Sequence, residues 1–514
     1  MNSSLSCRTD MRFSILGPVV LIFSLIGLWV KLDGALFFVK LQFLQDWSFY
    51  LFGHLYTFCG AVAVLFCAWL GLGPLGKVRI GGVAASPRLA FGSWFALSLC
   101  TTIAVGILFW AAAEPLIHSA FPPQFGEVSP YSYPANQLSL AIVLHHWTLV
   151  PYSIYTCATV MFALAIYNGR YPLELSAILR LSQRSVCARL KPVVDVLCLI
   201  TLTAGMSANL GVGILMISGV LQYFGYTASH TMETYAVIVA TLSSLIWASS
   251  TSGIQRGMRW LSWVNTFFLL LFLCTLISLV PLDRVLPLQS DGVLVFLRNF
   301  PTWLSRDLWV SAQDEWVQQW TMFYWSNWFA WAPVTGLFLA RLAYGYTIRT
   351  VLFCNLLAPA FVCGVWMSVF GSISLSLASE PESVLYRILS KDHPEGVMFS
   401  VLQRLWGGDI LVMAFALLAG ISFVTAADSN TDTMSRLTLR PGVGDGLKGG
   451  LGPLKFLWTA FVGIIACLFL STTGLDGIKA LSQLGGVPAV LLIGAGMLRL
   501  LFVVYFEKVS HERR

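Results

Sequence analysis

Charge is what this chain has least of. Asp, Glu, Lys and Arg make up 11% of its 514 residues, against 57% apolar residues. A soluble chain carries about twice that share of charge. The balance excludes a soluble multidomain protein and indicates a polytopic membrane protein. Paired cysteines are missing too. The eleven cysteines are scattered, most of them inside apolar runs (Cys59, Cys67, Cys100, Cys198, Cys274, Cys467), and no Cys-x-x-Cys occurs. Neither a zinc site nor a disulfide framework follows. The glycine-rich stretch 442–452 lacks the Gly-Lys-Ser/Thr of a phosphate cradle and reads as a flexible linker. With no nucleotide-binding domain, ATP-driven transport is not expected. No nucleophile–base pair or metal constellation shares a plane, so the chain does not read as an enzyme, and no cofactor or metal is expected. The first apolar run is long enough to span and lacks a small-residue cleavage site, so it reads as a membrane span rather than a removable signal.

What the chain does have is long apolar runs. Twelve are expected to cross the bilayer: 13–31, 48–71, 91–113, 137–166, 192–221, 233–251, 261–281, 319–341, 351–376, 408–428, 454–472 and 482–505. If the N-terminus is cytoplasmic, 22 of the 31 Lys and Arg fall on the inner side and nine on the outer. That asymmetry puts both termini in the cytoplasm of a cell whose plasma (inner) membrane holds the chain. The net charge of +7 is then a topology signal and not a nucleic-acid footprint. Two outer segments exceed a simple turn. Residues 282–318 read as an amphipathic surface helix with Trp303, Trp309 and Trp316 as an interfacial belt. The other, 377–407, holds Glu380, Glu382, Asp392 and Glu395.

The densest chemistry lies in the eighth span, from Phe323 to Gly336 (FYWSNWFAWAPVTG). Trp325, Trp328 and Trp331 are spaced by three, so successive rings stay within about 60° and form an aromatic stripe. Trp328 and Trp331 lie near the centre of the apolar run, where an interfacial belt has no use for them. Aromatic faces in a dry cavity attract an organic cation that cannot donate hydrogen bonds, above all a quaternary ammonium group. The alternative is that the rings fill a helix–helix interface. A second group lies mid-span in the fourth run: His145, His146, Trp147, Pro151, Tyr152 and Tyr155. Pro151 loosens the helix there.

The eighth run, followed by Ala340-Arg341 and Gly345-Tyr-Thr-Ile-Arg349, resembles the signature of the betaine/choline/carnitine transporter family, and the likeness extends over about residues 15–505. It implies an all-α membrane protein of twelve helices in the inverted five-helix-repeat (LeuT-like) fold. Residues 1–90 would hold the N-terminal segment and two peripheral helices. The repeats would be 91–281 and 319–505, with the surface helix 282–318 between them and a short cytoplasmic tail at 506–514. The implied activity is secondary transport, by alternating access, of a small-molecule quaternary ammonium substrate such as glycine betaine, choline or carnitine. Relatives form trimers, which would make 282–318 a candidate contact.

The implied substrate box is Trp147, Tyr152, Tyr155, Trp325, Trp328 and Trp331, with Asn327 replacing a usual tryptophan and Tyr152 replacing another. The third span matches in position but is poor in glycine; Ala104 and Gly106 are its small residues, and Glu114 reads as a capped, exposed helix end. Sodium coupling would use Thr425 and Asp428. Two hydroxyls of that pattern are gone, at Ala426 and at Met206 after Gly205. Sodium, proton and exchange coupling therefore all stay open. So do a different zwitterion or amino acid as substrate, and a receptor or channel without net transport.

Overall fold

Helix is the only regular structure that satisfies a lone segment's backbone inside a bilayer, and the apolar runs are helical among the described residues apart from local breaks. The computed structural model describes residues 11–103, 105–179, 190–226, 231–251, 257–308, 314–378, 383–389, 394–440 and 451–512. Among them β structure is limited to two isolated bridges. The main helices are α1 (Phe13–Leu32), α2 (Gly34–Leu72), α3 (Phe91–Thr102), α4 (Val105–Ala120), α5 (Tyr133–Trp147), α6 (Leu149–Ala163), α7 (Leu190–Tyr223), α8 (Met232–Thr251), α9 (Arg259–Leu279), α10 (Leu282–Asp307), α11 (Phe323–Leu342), α12 (Ala358–Leu377), α13 (Pro394–Gln403), α14 (Gly408–Leu437) and α15 (Gly452–Glu512).

Nine helices among the described residues are long and apolar enough to cross a membrane, and α3 with α4 makes a tenth if the bent pair is one span. The expected twelve follow from two local features. The run 452–505 holds two of them, parted at Gly474, whose φ of 63° a side chain would resist. Helix α11 is the other; its tryptophans, Ser326 and Asn327 lower its hydropathy without shortening its 20 residues.

Three spans depart from the simple rods expected. The third is two helices meeting at 55°, with the break before Gly106. The fourth breaks at Thr148 (φ −120°, ψ −106°), two residues short of Val150-Pro151. That is where a proline early in a new helix costs no hydrogen bond. The second span starts earlier than expected, at Gly34, where the Asp33 carboxylate caps the Leu36 N–H.

Helix α10 is strongly amphipathic, as expected for 282–318, but its tryptophan does not serve as a belt. Trp303 is buried against His145, with ring centroids 5.6 Å apart. Trp316 stacks near His118 at 5.3 Å. Trp309 and most of the linker 442–452 lie outside the described residues.

One close helix crossing that bears on the site joins α6 and α11. A Cβ on Gly336 would lie 2.5 Å from the Ala158 Cβ and 3.0 Å from the backbone of Thr159. The two backbones therefore touch, and small-residue contact of this kind is what holds helices together where lipid offers no hydrophobic drive.

Candidate functional site

A cavity opens where α4 begins, where α5 gives way to α6, and along α11, α7, α14 and α15. Gly106, Trp147, Tyr155, Asn327, Trp328 and Trp331 all line it. Trp328 is the hub. Its ring meets Trp147 at 5.5 Å and 85°, Tyr155 at 5.4 Å and 75°, and Tyr152 at 6.4 Å and 42°. The indole N–H of Trp328 donates to the carbonyl of His146, which the break at Thr148 leaves without a helical donor in sequence, at 3.3 Å. Gly106 lets the Trp147 ring approach; a Cβ there would lie 3.5 Å from it, in ordinary contact. Asn327 turns its amide oxygen to the hydroxyl of Ser482 at 2.5 Å.

Two of the expected box residues stand off the cavity. Tyr152 is fully buried behind Trp328. Trp325, also fully buried, faces α2 and α5: a Cβ on Gly60 would sit 3.5 Å from its ring, and the His145 ring lies 5.3 Å away. The stripe of three thus splits, with Trp328 and Trp331 lining the cavity and Trp325 packing outside it. Ala104 lies outside the described residues.

Several lining residues carry no obvious signal in sequence. Trp110, Phe323 and Lys479 line both this cavity and a second, adjoining vestibule walled by Gln319, Trp320 and Asp476. The Lys479 ammonium lies 5.0 Å from the Trp110 ring and 5.9 Å from that of Phe323. Asn209, Asn430 and Thr101 add polar groups to the wall.

Glu114 is not an exposed helix end. Its relative exposure is 0%. Oε2 accepts the indole N–H of Trp147 and the hydroxyl of Tyr324, each at 2.6 Å. Oε1 faces His146 Nδ1 at 3.0 Å and His118 Nε2 at 3.3 Å. Among the described residues, Glu114, His118 and His146 form a set of three His, Cys, Asp or Glu side chains whose polar atoms all lie within 4.8 Å of one another. Those atoms are taken up by hydrogen bonds within the set, so it is a hydrogen-bond network, and no metal is assigned to it. Beside it, His145 Nε2 meets Asp307 Oδ2 at 3.0 Å. On α10, burial draws the Arg306 guanidinium pKa down and the neighbouring Asp307 opposes it.

The residues expected to hold a coupling ion are engaged otherwise. The Thr425 hydroxyl donates to the Ser422 carbonyl at 2.9 Å and accepts from Asn265 at 3.3 Å. Asp428 is ion-paired: Lys455 Nζ lies 2.7 Å from Oδ1, and Ser249 donates to Oδ2 at 2.8 Å. Lys455 reaches Asp432 as well, at 3.5 Å, and Asp432 also binds Arg341 at 2.6 Å and Arg436 at 2.8 Å. Three cations thus surround two carboxylates, all at most 17% exposed.

Compared with known proteins, residues 14–509 match the family described as betaine/carnitine/choline family transporter. A glycine betaine/proline/choline transporter of Vibrio parahaemolyticus is 26% identical over 94% of this chain and 87% of its own length. The glycine betaine transporter OpuD of Bacillus subtilis is 27% identical over 90% of this chain and 88% of its own. Glycine betaine transporter 1 of Vibrio parahaemolyticus is 29% identical over 86% and 82%. With the pattern matched along almost its full length and an all-helical fold to carry it, the chain belongs to the betaine/carnitine/choline family of LeuT-like membrane transporters.

Proposed function

We propose that the chain performs secondary active transport of a small quaternary ammonium compound, of the glycine betaine, choline or carnitine type, across the plasma membrane. The observation that carries this is the set of rings around Trp328. Trp147 and Tyr155 stand within 5.5 Å of it at steep angles and line the same cavity. A trimethylammonium group has no N–H to donate, and its charge is spread over methyl groups. Ring faces stabilise it by roughly 2 kcal/mol or more each when water is excluded.

The reading extends to the transport cycle. Residues 91–281 and 319–505 act as the two repeats, with α5, α6 and α11 facing each other at mid-membrane. Alternating access opens the cavity to one side and then the other. Both termini are cytoplasmic, and three copies assemble through the region of α10.

A second reading has one observation in its favour. Asn209, Asn327 and Asn430 line the same cavity, and a primary amine, unlike a quaternary one, needs acceptors of the kind an amide supplies. Uptake into proteoliposomes, competed by glycine, its mono-, di- and trimethylated forms, and choline, separates the two. Inhibition that rises with methylation supports the quaternary substrate. Inhibition that falls with methylation supports the amino acid.

A further inference from the structure

Two imidazoles converge on one buried carboxylate that also holds two walls of the substrate cavity. Resting on the transport reading above, we infer that Glu114, His146 and His118 form the proton-binding centre through which a proton gradient drives this transporter.

The network has room for one more proton. With His146 Nδ1–H and His118 Nε2–H both donating, the Glu114 carboxylate receives four donors and both imidazoles are neutral. Among the described residues no lysine or arginine pairs with Glu114. His146 Nε2 then accepts from the Thr321 hydroxyl at 3.3 Å. A hydroxyl donates or accepts with equal ease, so Nε2 takes up a proton by turning that bond round, and no partner is lost. The gain converts a lone buried carboxylate into an imidazolium–carboxylate pair.

The groups that face this centre come from several helices. From α5, His145 lies with its ring centroid 6.0 Å from that of His146, and it is itself held by Asp307 of α10, next to Arg306. Helix α11 contributes the Tyr324 hydroxyl, and α12 contributes Cys363, whose thiol feels the Glu114 charge.

Position gives the centre both access and leverage. The Trp320 ring, which walls the vestibule, lies 4.4 Å from the His118 ring. On the other side Trp147 and Tyr324, both donors to Glu114, line the substrate cavity. One ring therefore separates the centre from the vestibule, and its own hydrogen-bond donors form the cavity wall. Protonation changes the charge that orients Trp147 and Tyr324. By linkage, substrate seated against those rings changes proton affinity by the same factor, typically about 5- to 150-fold for coupled sites.

The test is lumen acidification. The full chain is reconstituted in sodium-free liposomes holding a pH-sensitive dye, and labelled glycine betaine, choline and carnitine are added in turn. Uptake of at least one probe is expected to acidify the lumen in proportion, and an inward gradient of about one pH unit to raise its accumulation by up to ~10-fold. In Glu114→Gln and His146→Gln, acidification is lost. The Kd read from tryptophan fluorescence, whatever its value, no longer varies between about pH 5.5 and 8. Glutamine at 146 keeps a donor and an acceptor in the network, so that variant decides the matter if Glu114→Gln does not fold. Uptake without proton movement, or unaltered acidification in His146→Gln, overturns this inference alone. Absence of binding and uptake for all three probes overturns the transport reading with it.

Discussion

The indole N–H of Trp147 is tied to the carboxylate of Glu114 at 2.6 Å, across 33 residues of sequence. A ring with its N–H bonded behind the cavity wall is held in orientation by that bond. Removing the acceptor frees it. Glu114→Ala should lower substrate affinity about tenfold even though Glu114 does not line the cavity, because Trp147 and Tyr324 each lose the acceptor that orients them; the unsatisfied donors cost stability separately, at about 1–3 kcal/mol each. Isothermal titration with the preferred probe reads this, and an unchanged Kd would show that the carboxylate does not orient the ring.

The split of the tryptophan stripe separates affinity from stability. Trp328→Leu should abolish measurable binding and leave a folded, monodisperse protein. Trp325→Leu should lower the melting temperature, since truncating a fully buried aromatic costs roughly 3 kcal/mol, and should leave Kd within about twofold. Fluorescence titration and thermal melts on both variants check the pair. Equal loss of binding in the two would put Trp325 in the site.

Sodium should have no effect on uptake. Asp428 already holds the Lys455 ammonium at 2.7 Å, and the Thr425 hydroxyl is spent on the Ser422 carbonyl. Replacing sodium with N-methylglucamine at constant pH is expected to leave the initial rate unchanged, whereas a fall of more than twofold would mean that an ion displaces Lys455.

The same pair is a stability test. Lys455→Met leaves Asp428 as a buried charge with one partner fewer and should cost about 3–5 kcal/mol. Lys455→Met with Asp428→Asn should recover much of that loss. Melting temperatures of the single and double variants form the cycle, and additive losses would show that the two side chains do not interact.

The helices and most of the cavity were legible in the sequence because both are local properties. Run length marks a span, and ring spacing marks a face. Spacing marked Trp328 and Trp331 as one stripe, and the family resemblance implied Trp147 and Tyr155 beside them; all four line the cavity. Trp325 was misplaced because a 60° turn of the helix is enough to carry a ring from the cavity to α2. The burial of Glu114 was not legible. A glutamate near a helix end faces either water or the bundle, and what decides is His146 and Tyr324, 32 and 210 residues away. The approach of Lys479 to Trp110 was not legible either, since it joins residues far apart in the chain. The engagement of Asp428 depends on Lys455, in another helix, which nothing in its own neighbourhood announces.

Gly336 should accept no side chain. Gly336→Ala would press on Ala158 and Thr159, and overpacking of this kind costs about 1–3 kcal/mol. Gly106→Ala, whose Cβ would find ordinary contact at 3.5 Å, should melt like the parent. Thermal melts in detergent compare the two, and equal stability would mean that α6 and α11 part easily.

That backbone contact has a mechanical consequence. Tyr155 rides on α6, Trp328 and Trp331 ride on α11, and Gly336 seated on Ala158 welds the two rods into one chassis. The rods cannot slide at that point without parting Gly336 from Ala158, so in the alternating access proposed above those rings move as one body. In that proposal, release of the passenger falls to the panels around the chassis, whose helices are already broken before Gly106 and at Gly474.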